Sequence, residues 1–489
     1  MRKRVLYLAF LLVALAAVTH APQGAAQQAV LQAVGPAPQG APQATPVTRL
    51  SIRPAAPPEL ALKYMLLPRL IDRTPGNAAP LYYTAVLLIP GTEATKSLDK
   101  VSEWINMPTD ELLHNPEVND ALGYLASGLH YVELAARREK CDWEIPLDTE
   151  GPATLLPDLV KYRALARGLA VRARLEIARG EYEKALRTLQ TGFSMARHIG
   201  EGPTLIHGLV AIAIASIMEQ QVEELVQAPG SPNLYWALTA LPTPLIDLRT
   251  EIEYEMSGLE HWVPELRDAQ KGELSAARCR EALFKVFAVL TEEWPVRMDS
   301  RPSQKLVLGV TAAGILAYPD AKRFLVEHGR NAQEVEAMPV AQALVEYMVM
   351  SWRRISDEHL KWVYLPYWQA DEGLRQFEKS LPQPPTDFGV ALAEALMPAI
   401  RHATFRMVSL DRRIAALRCV EAVRIHAASH KGALPASLSD VTEVPIPVDP
   451  VTGKQFDYRA EGNRASLSGP LPPDMPPDKG LQYELTLVP

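Results

Sequence analysis

Helical apolar spacing, interrupted by proline and glycine, runs through most of this chain and is what most constrains its fold. Apolar residues recur every three or four positions, which places them on one face of a helix. The spacing predicts helices over 116–138, 153–179, 181–199, 203–228, 243–268, 273–293, 337–363 and 388–430. Many of the breaks come from 42 prolines in 489 residues. We therefore expect a mainly α fold with an irregular, repeat-like body of helical hairpins.

One helical hairpin, over residues 158–199, carries a more specific pattern. Gly180 separates its two helices, and the turn reads GEYEKAL. This turn resembles the inter-helix turn of a tetratricopeptide repeat, and the resemblance implies that Tyr182 and Ala185 pack between the two helices. The signature does not recur at the period of about 34 residues that such arrays have, and an array needs about three repeats to bury a core. The sequence predicts one repeat-like pair rather than a regular solenoid.

The N-terminus has the three-part layout of a secretory signal peptide. Arg2, Lys3 and Arg4 precede an uncharged stretch, Val5–Val18, and small residues lead to a cleavage site after Ala26. The apolar stretch is shorter than the roughly 20 residues of a membrane-spanning helix, although an uncleaved anchor is the alternative. We expect residues 1–26 to be a signal peptide, the protein to be exported, and no integral membrane span to follow.

The remaining chain divides into a linker, a helical body and a C-terminal module. Residues 27–58 are rich in proline, glutamine and alanine, which predicts a disordered linker. The α-helical body is predicted over 59–385. The module, 386–489, begins with a long helix and ends with QFDYRA, RASLSG and LQYELTLVP, whose alternation predicts a three-stranded antiparallel sheet.

This module resembles the globular end of type II secretion major pseudopilins. The residues that carry the resemblance are Gly432, Pro435, Asp449, Pro450, Gly453, Phe456, Tyr458, Ser468, Gly469 and Pro470. We expect the Asp449 carboxylate to cap the turn and Gly453 to take its strained position. The family's calcium loop would follow, but only Asp474 and Asp478 lie there, and calcium needs about six to eight oxygen ligands. The prepilin cleavage site is also missing, so a pilin subunit is not predicted.

The whole chain also resembles a broad group of uncharacterised exported helical proteins of planctomycete-type bacteria. Four segments carry this resemblance: LLPRLIDRTPGNAAPLYYTAVLL, REKCDWEIPLDTEGP, GEYEKALRTLQTGFSMARHIGEGPTLI and PNLYWALTALPTPLIDLRTEIE. The resemblance implies export and a helical body, and it implies no particular chemistry.

Composition and motifs exclude several function classes. A net charge of −7 argues against a nucleic-acid partner, because such proteins carry a basic face. The sequence holds no GxSxG, HExxH, P-loop, GxGxxG or EF-hand motif. His426 and His430 are the best metal candidates, since their spacing puts both rings on one helix face. A third ligand is not apparent in the sequence, and His430 also suits a helix C-terminus as a cation. No catalytic, cofactor-binding or metal-binding residue, and no cofactor, is therefore predicted.

Two further groups of polar residues have a structural and a functional interpretation. Cys141, Asp142, Trp143 and Glu144 could line a pocket, but a loop anchor with a buried indole and solvated acids is favoured. The second group is an acidic run close to His261, made up of Glu251, Glu253, Glu255 and Glu260. Glu251 and Glu255, one turn apart, could perform acid–base chemistry or hold a divalent ion. A solvated helix face is the favoured interpretation.

The three cysteines indicate packing rather than chemistry. Cys141, Cys279 and Cys419 are odd in number and far apart, so at most one disulfide can form. No CxxC pair occurs, which argues against a zinc ribbon or a thioredoxin-like site. We expect all three to be buried small apolar residues.

The best candidate for a recognition surface is an aromatic segment, EYMVMSWRRISDEHLKWVYLPYWQ. It contains Trp352, Arg353, Arg354, Trp362, Tyr364, Tyr367 and Trp368. Enrichment in aromatic residues and arginine is typical of interface hot spots. It is also typical of a packed helical core, and both interpretations remain open.

Together these features predict an exported, non-catalytic α-helical scaffold that binds a protein partner at the cell envelope or in the periplasm. One alternative is an envelope hydrolase that uses an acidic pair or His426 and His430. Another, from the C-terminal resemblance, is an accessory of a pseudopilus-type secretion system. Enzyme and scaffold differ in whether the candidate acids and histidines converge in one cavity.

Overall fold

The computed structural model describes residues 44–89, 100–147 apart from 102, 159–270, 274–290, 304–382, 387–472 and 475–489. The predicted signal peptide and the first part of the predicted linker lie outside these residues.

The described chain is mainly α-helical, as predicted. Its helices are α1 Ala79–Leu87, α2 Thr109–His114, α3 Pro116–Ala136, α4 Leu159–Ala178, α5 Tyr182–Gly200, α6 Leu205–Gln227, α7 Tyr235–Thr239, α8 Arg249–Trp262, α9 Glu265–Gln270, α10 Ala276–Leu290, α11 Gln304–Glu327, α12 Ala332–Ala337, α13 Val340–Val363, α14 Tyr367–Ser380 and α15 Phe388–Ser429. Its strands are β1 Val47–Ile52, β2 Thr74–Asn77, β3 Arg138–Lys140, β4 Asp457–Glu461, β5 Arg464–Gly469 and β6 Leu481–Leu487. The predicted helix over 243–268 is instead two helices, α8 and α9, because Pro264 cannot continue a helix.

The hairpin of α4 and α5 forms where the spacing predicts it. Leu165, Leu169 and Ala173, four residues apart, are all buried and make the inner face of α4. Gly180 joins the helices with φ of +72°, a left-handed conformation that glycine adopts without steric cost. Of the two residues that the repeat resemblance places between the helices, Ala185 is buried and Tyr182 is partly buried.

Helix α6 is the central element of the body. It packs against α5, α4, α15 and α8 and also touches β1. This explains why its sequence up to Met218 is apolar on nearly every face, since each face meets another element. Within the described residues α6 alone combines the length and hydropathy of a membrane span, a test that core helices also pass. Two thirds of its most apolar stretch is buried inside the protein.

The C-terminal sheet has four strands in the order β1-β6-β5-β4. The three predicted strands pair antiparallel, as expected. The fourth strand, β1, runs parallel to β6, with Val47 opposite Gln482 and Ile52 opposite Leu487. This corrects the prediction that residues 27–58 form a disordered linker throughout. Leu50 and Ile52 on β1 are buried, and this burial helps to offset the cost of ordering the segment.

The proline-bounded turn before β4 has the predicted construction. The Asp449 carboxylate accepts a hydrogen bond from the Val451 N–H at 2.9 Å. Gly453 has φ of +69°. Asp449 also forms an ion pair of 2.9 Å with Arg412 on α15, and both side chains are buried. The turn is therefore fixed to the long helix by a buried charge pair.

Helices and sheet share one hydrophobic core. It contains Leu50 of β1, Leu225 of α6, Leu417 of α15 and Tyr483 of β6. The predicted boundary between the body, 59–385, and the C-terminal module runs through this core.

Candidate functional site

The acids and histidines singled out in the sequence lie in separate parts of the structure. Glu251, Glu255 and His261 are on α8, His426 and His430 are at the end of α15, and Asp142 and Glu144 follow β3. Glu251 and His261 stand about 15 Å apart along the helix axis, since ten residues rise about 1.5 Å each. In the part of the chain that the structure describes, the one set of three possible metal ligands within 4.8 Å is His426, His430 and Glu443.

The loop after β3 is an anchor, as the sequence favoured. Trp143 is buried and its Nε1 donates to the carbonyl of His198 at 2.8 Å. Its ring also stacks on Tyr82, with centroids 5.7 Å apart. Asp142 and Glu144 are exposed. Trp143 thus fixes the loop to α5.

The acidic run on α8 is buried in part, which corrects the prediction of a solvated face. Glu251 is 2% exposed, and burial raises its pKa to about 8. Glu255 Oε1 accepts a hydrogen bond of 3.2 Å from the N–H of Leu205, the first residue of α6. Acids at a helix N-terminus satisfy unpaired N–H groups and complement the helix dipole. Glu255 therefore caps α6 from a different helix.

A second acidic pair, which the sequence analysis did not identify, joins α6 to the sheet. Tyr483 of β6 donates to Glu223 at 2.5 Å, and Arg413 of α15 donates to Glu219 at 2.9 Å. Burial, together with the negative charge of Glu219, raises the pKa of Glu223 to about 8. The available signal was two acids one turn apart, directly after the apolar first half of α6. Their partners hold three elements together.

The three cysteines are buried and free, in agreement with the packing prediction. Burial raises the pKa of the Cys419 thiol to about 12 and that of Cys141 further still. A thiol with a raised pKa is a poor nucleophile at neutral pH. The cysteines therefore have the environment of core residues.

His426 and His430 form a stacked pair at the end of α15. Their ring centroids are 3.8 Å apart and the ring planes differ by 13°. Glu443 Oε1 lies 3.5 Å from His426 Nδ1 and 3.4 Å from His430 Nδ1. Partial burial raises the pKa of Glu443, but nearby backbone N–H groups and His426 lower it by more, which favours the ionised carboxylate. The sequence showed the two histidines, whereas only the fold brings Glu443 to them.

The aromatic segment divides into buried and exposed residues. Trp352 is buried and donates from Nε1 to the carbonyl of Met256 at 2.8 Å, and Tyr367 is buried as well. Three side chains at the junction of α13 and α14 are exposed, namely Tyr364 at 54%, Leu365 at 42% and Trp368 at 47%. We refer to Tyr364, Leu365 and Trp368 as the aromatic turn.

Contacts on both sides restrict the aromatic turn. The Tyr364 hydroxyl donates to Glu253 Oε2 of α8 at 3.2 Å. The Trp368 indole packs over Gly453, where a Cβ atom would come within 2.6 Å of the ring. Pro366 precedes α14 with φ of −54°, a value close to the one its ring imposes. The exposed rings are thus presented by a restrained backbone.

A small cavity of about 240 Å³ lies between α3, α4 and α5. Its charged lining residues are Glu133, Arg137, Arg172, Glu176, Lys184 and Arg187. Arg172 forms an ion pair with Glu133 at 2.7 Å, and the Thr188 hydroxyl donates to Glu176 at 2.7 Å. The cavity contains none of the residues singled out in the sequence.

Comparison of the chain with protein-family models, with curated proteins and with solved structures gave no match. The function proposed below therefore rests on the sequence and on the contacts and exposure of the described side chains.

Proposed function

We propose that this protein is an exported, non-catalytic α-helical scaffold that binds a protein partner at the cell envelope through the aromatic turn. The observation that carries this proposal is the exposure of Tyr364, Leu365 and Trp368 at one helix junction. Large aromatic side chains dominate the binding energy of many protein interfaces.

The restraint of the aromatic turn supports a role in binding. A side chain that is already ordered loses less conformational entropy when a partner covers it. The hydrogen bond from Tyr364 to Glu253 and the contact of Trp368 with Gly453 supply that order before binding. A charged pair, Lys361 with Glu358, lies in the last turns of α13 directly before the aromatic turn. An apolar centre with a polar surround is the usual composition of an interface.

The hydrogen bonds and ion pairs of three buried acids, Glu219, Glu223 and Glu255, support a non-catalytic role. Glu255 satisfies a backbone N–H of α6. Glu219 pairs with Arg413, and Glu223 accepts from Tyr483. Each of these groups has a structural partner, and none of them faces the cavity between α3, α4 and α5.

Export is the other half of the proposal. It rests on the basic residues Arg2, Lys3 and Arg4, the uncharged stretch Val5–Val18 and the small residues that precede Ala26. Fusion of residues 1–30 to a reporter that is active only outside the cytoplasm tests it. We expect activity from the fusion, and loss of activity when Leu11 and Leu12 are replaced by arginine. An inactive fusion would contradict export.

Site-specific photo-crosslinking in cells tests the binding surface. A photoreactive amino acid at Leu365 should give one discrete adduct with a second protein. The control is the same amino acid at Leu87 on α1, which is 81% exposed and remote in sequence. In the protein that carries the photoreactive amino acid at position 365, Trp368→Ala should reduce the yield of the adduct by about tenfold or more. This is the effect expected from losing a hot-spot side chain. The same adducts from both positions, or none from Leu365, would reject the aromatic turn as the interface.

A further inference from the structure

We propose that His426, His430 and Glu443 form a binding site for one divalent transition-metal ion of the Zn²⁺ type. Two imidazoles and a carboxylate are a ligand set that zinc uses in proteins. The residues come from the last turn of α15 and from the segment that follows the 3₁₀ turn Leu438–Asp440. The ion would join this segment to the end of the long helix.

The separations of Glu443 Oε1 from the two ring nitrogens match a tetrahedral ion better than they match hydrogen bonds. Glu443 Oε1 lies 3.5 Å from His426 Nδ1 and 3.4 Å from His430 Nδ1. Zinc bonds of about 2.0–2.1 Å place two tetrahedral ligands about 3.3–3.4 Å apart. A charge-assisted hydrogen bond between imidazolium and carboxylate would be about 2.7–2.9 Å long. The two separations are therefore longer than such hydrogen bonds and close to the spacing that an ion requires.

His426 supplies an independent indication. It is more than nine-tenths buried, and its Nδ1 has no hydrogen-bond partner among the described residues. A buried polar atom without a partner is costly, and such cases are rare in folded proteins. The same atom is the one that faces Glu443 Oε1. A metal ion at this point would satisfy it.

The carboxylate is held in the orientation that the site needs. Glu443 Oε2 accepts a hydrogen bond of 2.9 Å from the backbone N–H of Thr442, which leaves Oε1 turned toward the two rings. Nearby, Val441 and Val444 pack with Ala422 and Ile425 of α15 in a small core of their own. The segment that carries Glu443 is thus fixed before any ion binds. Such outer contacts orient the ligands of metal sites.

One contact has to be exchanged on binding. His430 Nδ1 lies 3.0 Å from the carbonyl oxygen of His426, a hydrogen bond at the helix end. His430 is half exposed, so its ring can give up this carbonyl and its stacking contact with His426 to turn toward the ion. Because His430 and Glu443 both reach solvent, a water molecule can take the fourth position. Calcium and magnesium are not expected, since they prefer oxygen ligands throughout.

The test is a calorimetric titration of the untagged, chelator-treated protein with zinc chloride, repeated with cobalt chloride and followed by visible absorption. We expect one ion per chain and the intense visible bands of tetrahedral cobalt. His430→Ala and Glu443→Gln should each weaken zinc binding by about tenfold or more and abolish the bands. The His430 side chain is half exposed and the Glu443 side chain is partly exposed, so the variants should fold.

The matched control is His114→Ala. His114 ends α2, and its Nδ1 lies 2.7 Å from the carbonyl oxygen of Asp110, four residues earlier. His430 Nδ1 makes the same kind of contact, at 3.0 Å, with the carbonyl oxygen of His426. It belongs to no comparable group of ligands in the described ranges. Its replacement should leave both titrations unchanged. Zinc binding that is absent from the parent chain, or equal in His430→Ala and the parent, would overturn the metal site.

Discussion

Glu251 and Asp411 are carboxyl groups that the fold holds away from water. Burial raises the pKa of Glu251 to about 8 and that of Asp411 to about 7. Asp411 accepts a hydrogen bond from the Leu245 N–H at 3.0 Å, whereas Glu251 Oε2 has no partner within the described chain. The ionised form of Glu251 is therefore poorly stabilised, and its protonation state should govern local stability.

Stability should fall between about pH 5 and pH 8, and Glu251→Gln should remove part of this dependence. Folded Glu251 keeps its proton up to about pH 8, whereas the unfolded chain loses it near the ordinary value of 4.5. Unfolding then releases a proton, so the stabilisation is complete below pH 4.5 and lost as pH rises through 8. The difference in unfolding free energy between variant and parent, measured by urea denaturation, should shift by on the order of 3 kcal/mol in favour of the variant from pH 5 to pH 8.

The control for this pH series is Glu253→Gln, which changes an exposed acid two residues further along α8. The difference in unfolding free energy between Glu253→Gln and the parent should stay constant from pH 5 to pH 8. If the difference in unfolding free energy between Glu251→Gln and the parent is also constant, Glu251 does not contribute to the pH dependence of stability.

Arg412 and Asp449 form a deeply buried charge pair that holds the C-terminal turn to α15. Asp449→Asn keeps an oxygen for the Val451 N–H but leaves the arginine buried without a counter-charge. Removing one partner of such a pair lowers the free energy of unfolding by about 3–5 kcal/mol. Denaturant unfolding should show this loss, whereas Asp457→Asn, at an exposed position of β4, should change stability by less than about 0.5 kcal/mol. Equal effects would mean that the pair is solvated.

At the scale of elements, α13 and α15 meet where α15 begins. The Tyr347 hydroxyl accepts from the Phe388 N–H at 2.9 Å, and Ser351 Oγ accepts from the Gly389 N–H at 3.2 Å. Side chains of α13 thus satisfy N–H groups that the first turn of α15 leaves unpaired. A Cβ on Gly389 would stand 2.2 Å from the carbonyl oxygen of Ser351. The crossing is therefore as close as glycine permits.

Two glycine-to-alanine replacements in helices should have opposite effects. Gly389→Ala should destabilise the protein by about 1–3 kcal/mol, because backbone atoms must move apart to accept the methyl group. Gly123→Ala, at an exposed position of α3 with nothing within 4 Å, should stabilise it by about 0.5–1 kcal/mol through lower backbone entropy of the unfolded chain. Thermal unfolding of both variants checks the sign, and loss of stability in Gly123→Ala would contradict the helix assigned there.

The spacing of apolar residues predicted the helices whose burial follows a helical period. It did not predict features that depend on contacts between residues far apart in the chain. Helix α13 begins three residues after its predicted start and ends at the predicted residue, because its apolar face is continuous. Strand β1 was missed, since VTRLSI stands in a proline-rich stretch and its partner is β6, far away in the chain. Likewise, the spacing of His426 and His430 was visible, but only the path of the chain after α15 brings Glu443 to them. Glu251 was misjudged because an acid carries no local sign of burial.

For the whole molecule, the consequence of β1 is that the start and the end of the described chain are joined in one sheet. Arg49 forms an ion pair with Glu484 at 2.9 Å, and the Val488 N–H donates to the carbonyl of Ile52. On its other side this region meets α6, where the Ser51 N–H donates to Gln227 at 3.2 Å. The sheet and the helical body are therefore expected to unfold together.

A chain that begins at residue 54 should be less stable than one that begins at residue 44, because it lacks β1. The shorter chain leaves the edge of β6 unpaired and forgoes burial of Leu50 and Ile52, worth about 1.5–3 kcal/mol each. We expect a lower unfolding midpoint, faster hydrogen exchange at β6 amides and a greater tendency to aggregate through the exposed edge. Exchange should also quicken in α6 around Gln227, which would link the sheet to the central helix. Equal midpoints and equal β6 exchange in the two chains would show that the sheet does not depend on β1.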